Sequence, residues 1–167
     1  MSNIKTSAFG EALYPHLNQP DTAFSAEGIY QVKLKVSKED AKTMIDEIET
    51  IINEKLIEEG KKQPNKTDMF KRAPLPYQEL EDGSVQFHFK SKFKPKIVDH
   101  NIEPMDKQIW GGSVIRCNYT PVGYYVASTG LGCTLRLTGV QVKKLVEGSL
   151  GTQGFSKVEP EVNQELV

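Results

Sequence analysis

Apolar and polar residues alternate in several stretches of this chain, and the alternation marks out its strands. In Ser84-Val85-Gln86-Phe87-His88-Phe89-Lys90-Ser91-Lys92-Phe93-Lys94-Pro95-Lys96, successive side chains of an extended strand point to opposite faces. Val85, Phe87, Phe89 and Phe93 share one face, with Ser91 as its single polar member. Gln86, His88, Lys90, Lys92 and Lys94 share the other, and Lys96 extends that row if the strand continues past Pro95. The phenylalanine face, Phe93 included, is expected in the core, and the lysine face in water. The same period recurs in Ile29–Val36, where Tyr30, Val32, Leu34 and Val36 alternate with Gln31, Lys33 and Lys35. Further on, Ile115, Cys117 and Tyr119 oppose Val114, Arg116, Asn118 and Thr120. Cys133, Leu135 and Leu137 then oppose Thr134, Arg136 and Thr138, and Val140-Gln141-Val142 continues the extended chain.

Between the first two of these strands the period changes to that of a helix. Ala41, Met44, Ile45, Ile48, Ile51, Ile52 and Leu56 recur at helical spacing, with Asp46, Glu47, Glu49, Glu54 and Lys55 between them. Ser37 is the expected N-cap and Gly60 the expected C-terminal stop. Proline, asparagine and glycine punctuate the rest. Tyr14–Asp21 reads as a loop, Gly60–Pro76 as a Lys- and Pro-rich connector or flap, Asp82-Gly83 as a turn, and Pro121-Val122-Gly123 as another turn. Five or six strands and one long helix predict a mainly β chain. The leading reading is an OB-fold-like five- to six-stranded barrel, with one long amphipathic helix inserted after an early strand. A two-layer α+β sandwich is the alternative. Residues 1–148 are expected to form the domain, and 149–167 a flexible, mildly acidic tail.

The net charge of −1 over 167 residues conceals a strong asymmetry. Residues 84–145 carry nine lysines and arginines against three carboxylates, whereas 1–83 carry 11 against 15 and 146–167 carry one against four. A basic middle between acidic flanks is what an anionic polymer senses, and lysines two residues apart on one face can follow a run of phosphates. The competing reading is a set of solvated lysines that keep a sheet edge soluble.

Chemistry beyond binding finds little purchase. His16, His88 and His100 have no metal-ligand spacing with Cys117 or Cys133, and no HExxH, CxxC, GxSxG or phosphate-loop pattern occurs. The two cysteines read as buried free thiols. Asp99, Glu103 and Asp106 near His100 resemble the acidic set of a metal-dependent nuclease, but an ordinary charged loop is the better reading. The expectation is a protein without catalytic activity, metal or cofactor. A polar start without an apolar leader, and no apolar run of membrane-spanning length, predict a soluble cytoplasmic protein. Aromatic residues beside the basic strands can stack nucleobases, at about 1–3 kcal/mol per base. Tyr77, Trp110, Tyr124 and Tyr125 are the candidates; in Tyr124-Tyr125 one ring is expected inward and the other outward. Trp110, next to Gly111-Gly112, serves equally well as the plug of a barrel end.

Taken in order, these pieces resemble the single-stranded-DNA-binding proteins of tailed bacteriophages. The matching segments are Tyr14-Pro15 with Pro20-Asp21, Gly28–Leu34, Pro76-Tyr77 before Asp82-Gly83, and Phe87–Lys92. Ile109–Ser113, Gly123–Thr129 and Leu135-Arg136-Leu137 leading to Val140-Gln141-Val142 complete the pattern, so that it spans about Phe9 to Val146. The resemblance implies an OB fold that coats and protects single-stranded DNA without sequence specificity, during phage replication or recombination in the infected host cell. Lys33, Lys35, Lys90, Lys92, Lys94, Arg116 and Arg136 would then line the backbone-tracking groove, with Tyr77, Trp110, Tyr124 and Tyr125 as stacking surfaces and His88 able to serve either way. The resemblance also implies a homodimer and an acidic C-terminal tail that docks replication proteins. Here the chain departs from the pattern, because its tail is only mildly acidic and ends at Val167 without a terminal aromatic. The alternative from another class is a phage structural or protein-interaction barrel whose basic face meets an acidic partner.

Overall fold

A computed structural model describes residues 4–23, 28–63 and 70–146. The strands are β1 (Lys5–Thr6), β2 (Gly10–Asp21), β3 (Ile29–Val36), β4 (Tyr77–Glu79), β5 (Val85–Ser91), β6 (Lys96–Val98), β7 (Val114–Val126) and β8 (Gly130–Lys144). Among the described residues a single helix, α1 (Lys38–Lys62), joins β3 toward β5. Five strands close a ring. β2 pairs with β3, β3 with β5, β5 in parallel with β8, β8 with β7, and β7 returns to β2 through Gly10 opposite Ile115. Closure removes the open edges a five-stranded sheet would otherwise expose. The short strands β1, β4 and β6 attach to β7, β5 and β8. This is the expected OB-like barrel with its helix after an early strand.

The period-2 pattern explains which side each strand buries. Val32, Leu34 and Val36 of β3, and Val85, Phe87 and Phe89 of β5, fill the interior with Ile115, Cys117 and Tyr119 of β7 and Leu135 and Leu137 of β8. Cys117 and Cys133 are buried free thiols, and burial pushes both upward, Cys133 to about 11. Such thiols pack as small apolar groups. The helix starts where Ser37 Oγ accepts from the Asp40 N–H at 3.2 Å, and it buries Ala41, Met44, Ile48 and Ile52. Glu39 and Asp40 in the first turn and Lys61 and Lys62 in the last complement the helix dipole. A Cβ at Gly123 would lie 3.0 Å from Ile51 Cγ2, so the helix approaches the β7–β8 hairpin closely there. Two tyrosines tie it down, with Tyr119 Oη donating to Glu47 and Tyr77 Oη donating to Glu49.

Four local expectations give way. Tyr14–Asp21 is not a loop but most of β2; register shifts between Leu13 and His16, and between His16 and Asp21, absorb Pro15 and Pro20, which cannot donate to the ladder. Gly60 does not stop the helix, which runs on to Lys62, where the Gln63 N–H caps back to the Glu59 carbonyl. Pro121-Val122-Gly123 is not a turn; β7 continues through it, with Pro121 opposite Leu135 and Gly123 opposite Cys133. The fourth is Phe93, which is 79% exposed. Strand β5 ends at Ser91, whose Oγ accepts from the Phe93 N–H at 3.0 Å, and this turn carries the ring out of the pleat. The expected boundary at residue 148 and the tail beyond it lie outside the described residues.

Candidate nucleic-acid interface

The outward faces of β3, β5 and β8 bring one group of cations together. In the register of the sheet Lys33 stands opposite His88, Gln31 opposite Lys90, and Lys90 opposite Arg136. Lys33, Lys90, Lys92 and Arg136 form no salt bridge with a carboxylate among the described residues. Hollows run along the same face. One of about 500 Å³ is lined by Lys90, Lys92, Phe93 and Arg136 together with Ile29 and Thr134. A second, of about 290 Å³, lies between Tyr14, His16, Gln31, Lys33 and His88, and a third beside Lys33, Tyr77 and His88 continues it. Lysines held in place by strand pairing, and in no salt bridge among the described residues, form a positive track in the shape of a groove, with Asp21 lining its Tyr14 end.

His88 is set by its neighbours rather than by its charge. Its Nε2 lies 2.7 Å from Gln31 Oε1, and Gln31 Nε2 in turn donates to Asp21 Oδ2 at 2.8 Å. With the amide oriented by Asp21, Gln31 Oε1 accepts and His88 Nε2 carries the hydrogen. Burial, then repulsion from Lys90 and Lys33, pushes the imidazole down to about 4. At neutral pH it is therefore an uncharged member of a hydrogen-bond chain. Asp21 ends that chain; the Ala23 N–H foremost holds its carboxyl below the usual range against a small opposing effect of burial, and His16 lies 3.7 Å away. The acid places a negative end on the β2 side of the groove and leaves the positive track running from Lys33 through Lys90 to Arg136.

The other expected site residues are dispersed. Lys35 is bound to Asp82 at 3.0 Å, which raises its pKa, so its charge is matched within the fold. Lys94 is exposed beyond the end of β5. Tyr77 packs its ring on Phe87 at 5.9 Å, and burial, followed by the bond to Glu49, pushes its hydroxyl up to about 12. Tyr125 turns inward against the edge of Phe70 at 5.0 Å, and Tyr124 lies over its cross-strand partner Gly132, where a Cβ would fall 2.5 Å from the phenol oxygen. The two rings do diverge as expected, but the outer one covers its own hairpin. Trp110 is 37% exposed in a loop tied to β2 by Gly112 N–H to the Ala12 carbonyl and Ile109 N–H to Asn18. Arg116 faces a separate hollow of about 360 Å³ with Lys96, donates to Gln141 at 2.8 Å and lies 4.6 Å over the Phe9 ring.

Two aromatics that fall outside the alternating pleat, Phe93 and Tyr14, stand beside the cationic track. Phe93 borders the hollow of about 500 Å³. Tyr14 is 74% exposed, with Lys33 Nζ 6.0 Å from its ring centroid, and it holds a backbone φ of 49°. A tyrosine in the left-handed region is rare and tends to persist at functional positions. The signals were present in the sequence. Pro15 directly after Tyr14 forces a break in the strand, and Ser91, the polar intruder in the phenylalanine face, marks where the pleat ends.

No family model and no curated protein sequence matches this chain. Solved structures do. The crystal structure of gp2.5, a single-stranded DNA binding protein encoded by bacteriophage T7, superposes with a TM-score of 0.74 at 25% identity, covering 94% of this chain and 98% of that one. The single-stranded DNA-binding protein of bacteriophage Enc34, in complex with ssDNA, shares the fold with a TM-score of 0.62 at 21% identity, over 87% of this chain and 88% of that one. Another structure of the Enc34 protein gives 0.61 at 20% identity, over 93% and 87%. The resemblance to phage single-stranded-DNA-binding proteins that the sequence carries is thus present in three dimensions.

Proposed function

We propose that this protein binds single-stranded DNA and coats it without sequence preference, in phage DNA replication or recombination within the infected cell. The observation that carries the reading is the set of cations Lys33, Lys90 and Arg136, aligned by strand register along one grooved face with Lys92 beside them in the hollow, and unmatched by carboxylates among the described residues. Such a track neutralises phosphates whatever bases they carry, and single strands bring flexible backbones and free base faces to it. Support also comes from the solved phage proteins of the same fold, whose described ligand is single-stranded DNA. The proposed role is binding rather than catalysis. Asp99, the leading member of the acidic set, spends its carboxylate on the N–H groups of Asn101 and Glu103, as a turn-forming residue does. Docking of replication proteins by residues 149–167, and pairing into a homodimer, belong to this reading on the resemblance alone.

The test is a fluorescence-anisotropy titration of labelled oligo-dT at several salt concentrations, with duplex DNA and RNA as competitors. The expected result is tight binding whose affinity falls steeply with salt, with duplex a poor competitor. Absence of binding at low salt defeats the proposal and turns the basic face toward an acidic protein.

A further inference from the structure

We infer that the hollow beside Phe93 is a base-binding subsite, in which an unpaired nucleobase stacks on the exposed face of the Phe93 ring. The inference rests on the single-strand reading above and adds to it a specific residue and a mode of contact. Three observations converge on the hollow. The ring is 79% exposed, although burying a phenylalanine is ordinarily worth about 1.5–3 kcal/mol. Its position is fixed locally, because the Ser91 Oγ bond to its N–H ends β5 and buried Pro95 returns the chain to the barrel. The space it borders, about 500 Å³, falls within the range of small-ligand sites, which run from about 300 to 1,000 Å³.

Charge decides what occupies it. Lys90, Lys92 and Arg136 ring the hollow, while Ile29 provides an apolar wall at the start of β3. An apolar side chain of another protein would cover these cations without matching them. A nucleotide brings an aromatic face for Phe93 together with its own phosphate for the cations. The subsite adjoins Lys90 and Arg136 of the proposed track, so a strand lying along that track reaches it without a change of direction. Stacking depends on the π-face that every base has, so the subsite adds affinity with little choice of sequence.

Phe93→Ala, Phe93→Tyr and the double variant Lys90→Ala/Arg136→Ala, each titrated with oligo-dT across a range of salt, separate the subsite from the track. Phe93→Ala is expected to weaken binding about 5- to 100-fold, equally at every salt concentration, because the lost contact is not ionic. Phe93→Tyr is expected to restore it, and photocrosslinking of an oligonucleotide containing 5-iododeoxyuridine is expected to label the peptide bearing Phe93. The lysine–arginine variant is expected to lower the salt slope instead. If the track variant loses affinity while Phe93→Ala binds like the parent and no label reaches the Phe93 peptide, the subsite is refuted and the binding function stands. If the unaltered protein fails to bind oligo-dT, both are refuted together.

Discussion

Two faces of the barrel carry similar residues and put them to different uses. On the β3–β5–β8 face Lys33, Lys90 and Arg136 point outward beside hollows, and the aromatics Tyr14 and Phe93 are exposed among them. Around β7, Arg116 and Lys143 also stand beside an aromatic, Phe9. There the guanidinium is 4.6 Å from the ring, the ammonium 5.2 Å, and Arg116 Nε is bonded to Gln141. The second cluster satisfies itself. The first has one loose pair, Lys33 at 6.0 Å from Tyr14, and leaves Lys90, Arg136 and the Phe93 ring without a salt bridge or cation–π contact among the described residues; that difference, rather than the number of positive charges, is what nominates a binding site.

The largest effect expected from breaking this contrast comes from Lys90→Ala/Arg136→Ala. Each phosphate contact on a single strand contributes about 0.7 to the slope of log affinity against log salt, so losing two should reduce the slope by about 1.4. Affinity for oligo-dT near physiological salt should fall by roughly tenfold or more. Both side chains are exposed and unpaired, so the melting temperature should hardly move. Unchanged affinity in a folded variant would mean that the row serves solubility alone.

Next is an acid sensitivity rooted in the groove. His88 titrates near 4 in the fold and near 6.5 when unfolded. Above pH 6.5 it is neutral in both states and contributes no pH dependence. Between 6.5 and 4 the unfolded chain binds the proton more readily, so stability is lost as pH falls, by about 1 kcal/mol across that window once solvent screening of the half-exposed ring is allowed for. Denaturant melts of the parent and His88→Gln at pH 7 and pH 4.5 measure it; the parent should lose more stability than the variant. Equal losses would place the acid sensitivity elsewhere. A phosphate beside His88 would raise its pKa, so DNA affinity should also gain at pH 5 in the parent relative to that variant.

Tyr77→Phe tests a side chain at the border of the groove. Its hydroxyl donates to Glu49 of the helix at 2.8 Å, and its ring rests on Phe87. Losing the bond should cost about 1–2 kcal/mol of stability, since the acceptor is charged, and leave oligo-dT affinity unchanged. A stability near that of the parent, with weakened DNA binding, would show that the hydroxyl, and not the ring that Phe keeps, serves the DNA instead of Glu49.

What could be read in the chain, and what could not, follows from range. Alternation in Ile29–Val36 and Val85–Phe89 settles face and burial because the period-2 rule is local, and the ring closure follows from there being enough such strands. Lys33 and Lys90 were visible for the same reason. Tyr14 and Phe93 were not, because each sits where the pleat fails, at a bulge beside Pro15 and at the Ser91 turn, and face parity is undefined past such a break. Tyr77 and Arg116 were misleading in the opposite sense. Arg116 does point outward, whereas Tyr77 stands opposite buried Phe87 and shares its face; Glu49, Gln141 and Phe9 arrive from distant parts of the chain, and no local pattern announces a partner of that kind.

The smallest effect is expected on the second face, and it bears most directly on the contrast. Arg116→Ala removes a guanidinium like that of Arg136 from an adjacent strand of the same barrel. If unmatched charge is what binds DNA, the variant should keep oligo-dT affinity within about twofold and its salt slope intact, since Arg116 is already held by Gln141 and Phe9. The cost should appear in stability instead, at about 0.5–1 kcal/mol for the lost cation–π contact. Anisotropy and thermal melts on the same sample separate the two outcomes. A loss of affinity matching that of the β5–β8 variant would show that Phe9 and Gln141 give up the guanidinium to phosphate, and that the DNA path continues from Arg136 around β8 onto β7. The two faces would then form a single site, and self-satisfaction in the free protein would no longer distinguish structural cations from binding ones.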